Sequence, residues 1–210
     1  MLRVVRPEVD AVTIDAYGTL VRLLDPVPAL GEALRRHGVD RTYEQVEAAF
    51  AAEVDYYVQR SHEGRDEAAL ALLRRDCAGV FLAAAGLELE PDAFVDDFIA
   101  ALRFEPLPAA FETCEALAGR GYRLAVVSNW DVGLHDHLAS LGLDVPIVTS
   151  AEAGAPKPDP AIFRLALARL EVDPGRALHV GDSDADAEGA RAAGMRFRPA
   201  PLADAVRELL

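Results

Sequence analysis

The stretch "VTIDAYGTL" (residues 12–20) decides how the chain is read. An apolar run ends abruptly on Asp15, and a Gly18–Thr19 turn follows at once. A strand that is apolar at every position has both faces covered, which is the habit of parallel sheets rather than of half-exposed antiparallel ones. An acid at the end of such a strand stands at the carboxyl edge, where open α/β sheets hold their ligands.

Working outward, three further segments have the same character: "RLAVVSN" (123–129), "VPIVTS" (145–150) and "ALHVGD" (177–182). Helical patterns follow each of them, in "DVGLHDHLASLG", "DPAIFRLALARL" and "DADAEGARAAG". Strand and helix in alternation predict an α/β fold: a doubly wound, Rossmann-like parallel sheet with right-handed crossovers and helices on both faces. The block from 21 to 104 differs. Thr42 and Gln45 form a capping box, and Tyr43, Val46, Phe50, Val54 and Tyr57 recur behind it at helical spacing. A second helix is expected from about Asp66 to Ala85, with Leu70, Leu73, Cys77 and Phe81 on one stripe. A third opens at Pro91 and carries Phe94, Phe98 and Leu102. These stripes read as core packing, and the block shows no strand. We therefore expect a helical cap domain (21–104) inserted into a core made of 1–20 and 105–210, with the proline-rich "EPLPAA" (105–110) as the return hinge.

Composition narrows the function. Of the 210 residues, 51% are hydrophobic, enough for a real core, and no run approaches the roughly 20 apolar residues of a membrane span. The start, "MLRVVRPEVD", lacks the pattern of a signal peptide, so a cytoplasmic protein is expected. A net charge of −14 argues against a nucleic-acid surface, which needs a basic face. It allows a small anionic substrate where a divalent cation reverses the local field. Cys77 and Cys114 read as buried thiols, and His135 and His137 as surface histidines. A monomer or homodimer is expected.

The carboxyl edge of the sheet gathers the chemistry. The first strand delivers Asp15, the second Ser128 and Asn129, and the last Asp182, followed by Asp184 and Asp186; "GAPKPDP" adds Lys157. Clustered carboxylates in a partly desolvated crevice cannot all stay ionised without compensation. A divalent cation supplies it, and an all-oxygen shell suits Mg²⁺. Asp184 and Asp186 also fall in the first turn of a helix, where aspartate caps. Ser128 and Lys157 make a cradle for a phosphoryl group. Gly18, Thr19, Asn129 and Trp130 complete the residues expected against substrate, although Trp130 is equally suited to packing the hinge.

Four motifs, "DAYGTL", "VVSNWD", "KPDPAIF" and "HVGDSDADAEGARAAG", resemble those of the haloacid dehalogenase superfamily, in the subgroup with a helical cap after the first strand. The resemblance covers essentially the whole chain. It implies Asp15 as the nucleophile that becomes an aspartyl-phosphate. It also implies Mg²⁺ held by Asp15, the Tyr17 carbonyl and Asp182, with Asp186 as ligand or supporting partner, and Ser128 and Lys157 on the phosphoryl oxygens. The departure is Tyr17, which stands where the family's phosphatases usually have a second aspartate as general acid. A phenol is a poor acid at neutral pH. Three readings stay open. The first is a Mg²⁺-dependent phosphatase of a small phosphate ester, slow or selective for leaving groups that need little protonation. The second is a metal-independent 2-haloacid dehalogenase, favoured by "DAYGT" but opposed by Gly181-Asp182-Ser183, where such enzymes have Ser-Ser-Asn. It would also need a cap arginine such as Arg60 or Arg65. The third is a catalytically weak binding or regulatory relative.

Overall fold

A computed structural model describes residues 9–210; residues 1–8, on which the expectation about the N-terminus largely rests, lie outside the described residues. The main sheet holds β1 (Ala11–Ile14), β4 (Arg123–Ser128), β5 (Ile147–Thr149), β6 (Ala177–Gly181) and β7 (Arg196–Pro199). Its order is β5-β4-β1-β6-β7, with every pairing parallel. The chain steps from β1 to β4 and β5 on one side and returns to β6 and β7 on the other. The carboxyl ends of β1, β4 and β6 thus flank the point where the winding reverses, which is where ligands bind in this architecture. β7 is an addition to the four strands read from the sequence. Its "RFRP" lies half-exposed at the sheet edge and lacks a continuous apolar run.

Alternation along each strand builds two cores. Val12, Ile14, Val126 and Val180 pack against α5 (Ala110–Gly119), α6 (Leu134–Ser140) and α10 (Leu202–Ala205), meeting Leu117, Leu134, Leu138 and Leu202. On the opposite face Ala11, Ala125, Val127 and Val148 meet Ile162 and Phe163 of α8 (Pro160–Leu170) and Ala190 of α9 (Asp184–Ala192). A short α7 (Ser150–Ala153) follows β5.

The helical insert comprises α1 (Val27–Arg36), α2 (Tyr43–Arg60), α3 (Glu67–Ala84) and α4 (Val95–Ala101) around a separate cluster that includes Leu30, Leu34, Phe81, Phe94 and Phe98. Phe81 stacks on Phe94 with centroids 5.8 Å apart, and Phe98 lies 5.4 Å from Phe81. Thr42 and Gln45 make the capping box of α2, and Asp66 caps α3 by accepting from Ala69 N (2.9 Å). Pro91 opens a single 3₁₀ turn, Pro91–Ala93, and α4 starts only at Val95.

Two expectations need correction. The block is not free of strand: β2 (Val21–Leu23) pairs antiparallel with β3 (Phe104–Pro106), so the outgoing and returning crossings form one ribbon. Three residues are too few to show a period, which is why the sequence hid it. The α2 stripe is also not all core. Val46 is buried, but Tyr43 and Val54 are 48% and 37% exposed, and Phe50 and Tyr57 are half-buried along a cavity. Among the described residues no helix is long and apolar enough to cross a membrane.

Glu53 of α2 is 4% exposed beside Cys77, and burial pushes its carboxyl up to about 7. A carboxyl whose folded pKa lies above its unfolded value contributes its full stability only below the unfolded pKa, near 4.3, and loses it as pH rises through the folded value. Glu53→Gln should therefore gain stability relative to the unaltered chain as pH rises from about 4 to about 7, and the difference should level off above that. Urea midpoints of both proteins across this range check the sign; a constant difference would show that Glu53 ionises as readily folded as unfolded.

Candidate active site

Asp15 follows β1 directly, and its main-chain N–H donates to Val180 O (2.9 Å), which locks it beside the end of β6. Its buried carboxylate accepts at Oδ1 from Ser128 Oγ (3.1 Å), at the last position of β4, and from Lys157 Nζ (2.6 Å). Lys157 comes from the loop between α7 and α8 and donates equally closely to Asp186 Oδ1 (2.6 Å). Burial works against the ammonium, but the charges of Asp15 and Asp186 overcome it and raise its pKa. Asn129 holds the Lys157 main chain at both polar atoms: Oδ1 accepts from Lys157 N (2.7 Å) and Nδ2 donates to Lys157 O (3.2 Å). The side chain of Asn129 is thus committed to positioning the lysine.

Asp186 is fully buried and fully engaged. Its Oδ1 accepts from Lys157 and from His179 Nε2 (2.9 Å), and its Oδ2 from the main chain (3.1 Å) and hydroxyl (2.5 Å) of Ser183. Ser183 in turn caps α9, so the capping and site roles of Asp186 are one arrangement. Burial alone would raise this carboxyl, but the His179 hydrogen bond and the Lys157 charge hold it well below the usual carboxylate range. Burial also lowers the pKa of His179 and keeps the ring neutral. The Asp186 carboxylate can only accept, so the proton of the neutral ring sits on Nε2, and Nδ1 then accepts from Thr13 Oγ1 (2.9 Å).

Asp182 remains exposed at the mouth of the crevice. Partial burial and then the charges of Asp15 and Asp186 raise its pKa. Carboxylate oxygens of Asp15, Asp182 and Asp186 lie within 4.8 Å of one another. Asp184 is exposed in the first turn of α9 and outside that group. Gly18 has φ +81°, and a Cβ there would lie 2.0 Å from Asp182 Oδ2, so both conformation and space require glycine. Thr19 is buried, and its hydroxyl has no hydrogen-bond partner among the described residues.

Over this edge lies a cavity of about 350 Å³ between insert and sheet. Tyr17, 52% exposed, borders it from the core side with Asn129 and Trp130. Trp130 both lines the cavity and packs on Phe104 of the ribbon, with centroids 5.2 Å apart. His137 is half-buried instead of lying open at the surface: it stands edge-on to Phe104 (4.7 Å) in the cavity wall, with its Nε2 buried and without a hydrogen-bond partner among the described residues. Arg60 stacks over Tyr56 and Arg65 is exposed beside Asp66; the arginine that reaches the cavity is Arg74.

Asp131 also escaped the sequence reading, although it is the last letter of "VVSNWD". It accepts from Tyr57 Oη (2.8 Å) of the insert and from Gly133 N (2.7 Å), and burial raises its pKa. Beside it Val132 N donates to Gly64 O (3.0 Å), and a Cβ on Gly64 would meet Asp131 Cβ at 2.7 Å. Insert and core therefore meet at a charged hydrogen bond and a close backbone contact. His179 was visible as the one polar residue in an apolar strand, paired in register with Thr13.

Comparison with known proteins shows the family. The pattern of the family described as haloacid dehalogenase-like hydrolase matches residues 9–194. Haloacid dehalogenase-like hydrolase domain-containing protein 3 of Mus musculus is 37% identical over 97% of this chain and 88% of its own length. Phosphoglycolate phosphatase of Rhodospirillum rubrum is 37% identical over 62% of the chain and 63% of its own. Among solved structures, L-2-haloacid dehalogenase from Xanthobacter autotrophicus with chloropropionic acid covalently bound has a TM-score of 0.64 at 27% identity, over 90% of this chain and 76% of that one. With the match running through β1, β4 and β6 and the edge they share, the chain belongs to the haloacid dehalogenase-like hydrolase family.

Proposed function

We propose that this hydrolase is a Mg²⁺-dependent phosphatase acting on a small phosphate ester through an aspartyl-phosphate on Asp15. One observation carries the reading: three carboxylates crowd the sheet edge against a single ammonium, with the neighbouring histidine neutral. Two negative charges are left uncompensated, which is the charge of one divalent cation. The donor set is all oxygen and fits a hard ion such as Mg²⁺, which accepts only one or two carboxylates. Asp15, Asp182 and the Tyr17 carbonyl would hold it. Asp186, whose acceptor positions are taken by four donors, would stand behind them as the anchor of Lys157. When bound, the ion would supply Lewis-acid polarisation of the phosphoryl group. Relatives named as phosphatases support the same reading.

In this scheme the Asp15 carboxylate attacks phosphorus, the ester P–O bond breaks, and the alcohol oxygen leaves with the bonding pair. Water then cleaves the acyl-phosphate, releasing inorganic phosphate and restoring Asp15. Ser128 and Lys157 hold the phosphoryl oxygens, with Lys157 kept in place by Asn129. No carboxyl stands at position 17 to protonate the departing oxygen, so esters of acidic alcohols are the better substrates.

A second reading, 2-haloacid dehalogenase, is favoured by Tyr17 beside a cavity reached by Arg74, and by the dehalogenase structure it resembles. A halide leaves without a proton. The same site argues against it: the one ammonium is already shared by Asp15 and Asp186, and Asp182, open at the mouth of the crevice, would add uncompensated negative charge beside an anionic haloacid.

The purified protein should hydrolyse p-nitrophenyl phosphate with Mg²⁺ and lose that activity in EDTA. Chloride release from 2-chloropropionate without metal, with no phosphate ester turned over, would establish the other chemistry. Tyr17→Asp should raise kcat on alkyl phosphates by about tenfold or more, within the usual range of general acid catalysis, and on aryl phosphates much less. Equal gains on both would show that leaving-group protonation is not what position 17 withholds.

A further inference from the structure

We infer that the cavity between insert and sheet receives the alcohol half of the ester, and that this half is an apolar body of one ring with a short alkyl chain. The inference rests on the phosphatase reading, since it names the substrate class of that same site. Tyr17 and Asn129 join the cavity to the aspartate edge, so a group attached to a phosphate on Asp15 extends into it. At about 350 Å³ it sits near the lower limit of ordinary small-molecule sites, roughly 300–1,000 Å³, which suits a single ring more than a nucleotide.

Its walls select against polarity. Phe50, Val54 and Val58 face it from α2, and Trp130, Phe104 and His137 form an aromatic ladder opposite. Val58 is 67% exposed, and Tyr17 and Val54 also rank among the large side chains left open to water; all three border this one cavity. An apolar occupant would remove that surface from water.

The polar groups are mostly spoken for. Tyr57 donates to Asp131, Asp131 also accepts from Gly133, and Asn129 is tied to Lys157. Burial pushes the Glu53 carboxyl up to about 7, and two polar groups of the wall stay open: Arg74, which feels the Asp131 charge, and His137 Nε2, buried with no hydrogen-bond partner among the described residues. Beyond these two, little remains to bind a polyol. A ligand that leaves such groups unpaired, or arrives with its own unpaired, binds poorly.

The test compares phenyl phosphate, 4-propylphenyl phosphate and 2-phosphoglycolate with Mg²⁺. The two phenols ionise alike, so their ratio reports the cavity and not the leaving group. We expect kcat/KM for the propylphenyl ester to exceed that for phenyl phosphate by about tenfold or more, with phosphoglycolate poorest. Val58→Asp should bring the ratio of the two aryl esters back toward one. Trp130 is the chain's single tryptophan and lines the cavity, so its emission gives a second measurement that needs no turnover. 4-Propylphenylphosphonate should perturb it with a Kd about tenfold below that of phenylphosphonate, and Trp130→Phe should abolish the signal. Equal kcat/KM, or equal Kd, for the two aryl compounds overturns the inference and leaves the phosphatase reading standing. Selective binding with no ester turned over overturns the phosphatase reading and leaves the pocket.

Discussion

The site depends on one buried ammonium. Lys157 lies between Asp15 and Asp186 at 2.6 Å from each, and all three side chains are almost without contact with water. Removing such charges from solvent is costly, and only near-complete pairing makes it tolerable. The structure supplies that pairing from separate places: Ser128 at the end of β4, His179 within β6, Ser183 at the start of α9 and Asn129 behind the lysine backbone. Each partner is held by an element of the main sheet or its crossovers. Truncating one partner therefore exposes an unpaired charge elsewhere, and the effects of single substitutions here will not add.

This network also separates the acids by environment. Asp186 has every acceptor position filled and is held ionised, whereas Asp182 lies open with its pKa raised. A shared "DSDAD" sequence thus yields an anchored carboxylate, an open one and, at Asp184, a helix-turn residue facing solvent. Spacing along α9 and the Ser183 cap decide which is which. Tyr17 stands outside the network, turned toward the cavity and not toward the buried charges.

Much of this is legible in the sequence alone. Continuous apolar runs ending in acids, Ser or Asn marked β1, β4 and β6, because a doubly covered strand has no polar face to blur the signal. What was hidden was short, marginal or dependent on partners far away in sequence. β2 and β3 are each too brief for a period, and β7 is an edge strand with alternating arginines. Phe50, Val54 and Tyr57 repeat at helical spacing as any core stripe would; that they face a cavity depends on where the core lies, which periodicity does not contain. Asp131 and Tyr57 meet across the insert–core boundary, a relation no local pattern encodes.

The ribbon of β2 and β3 has a consequence for how such chains vary. Because Leu23 faces Phe104 across it, the two ends of the insert are already joined before the helices begin. To the sheet, the whole helical block is a loop whose closure is settled at that pairing. Closure entropy rises only with the logarithm of loop length, about 0.6 kcal/mol for each doubling. Helices can then lengthen, shorten or be exchanged above the ribbon at little cost to the aspartate edge, which frees the cavity's shape to drift while Asp15 stays where it is.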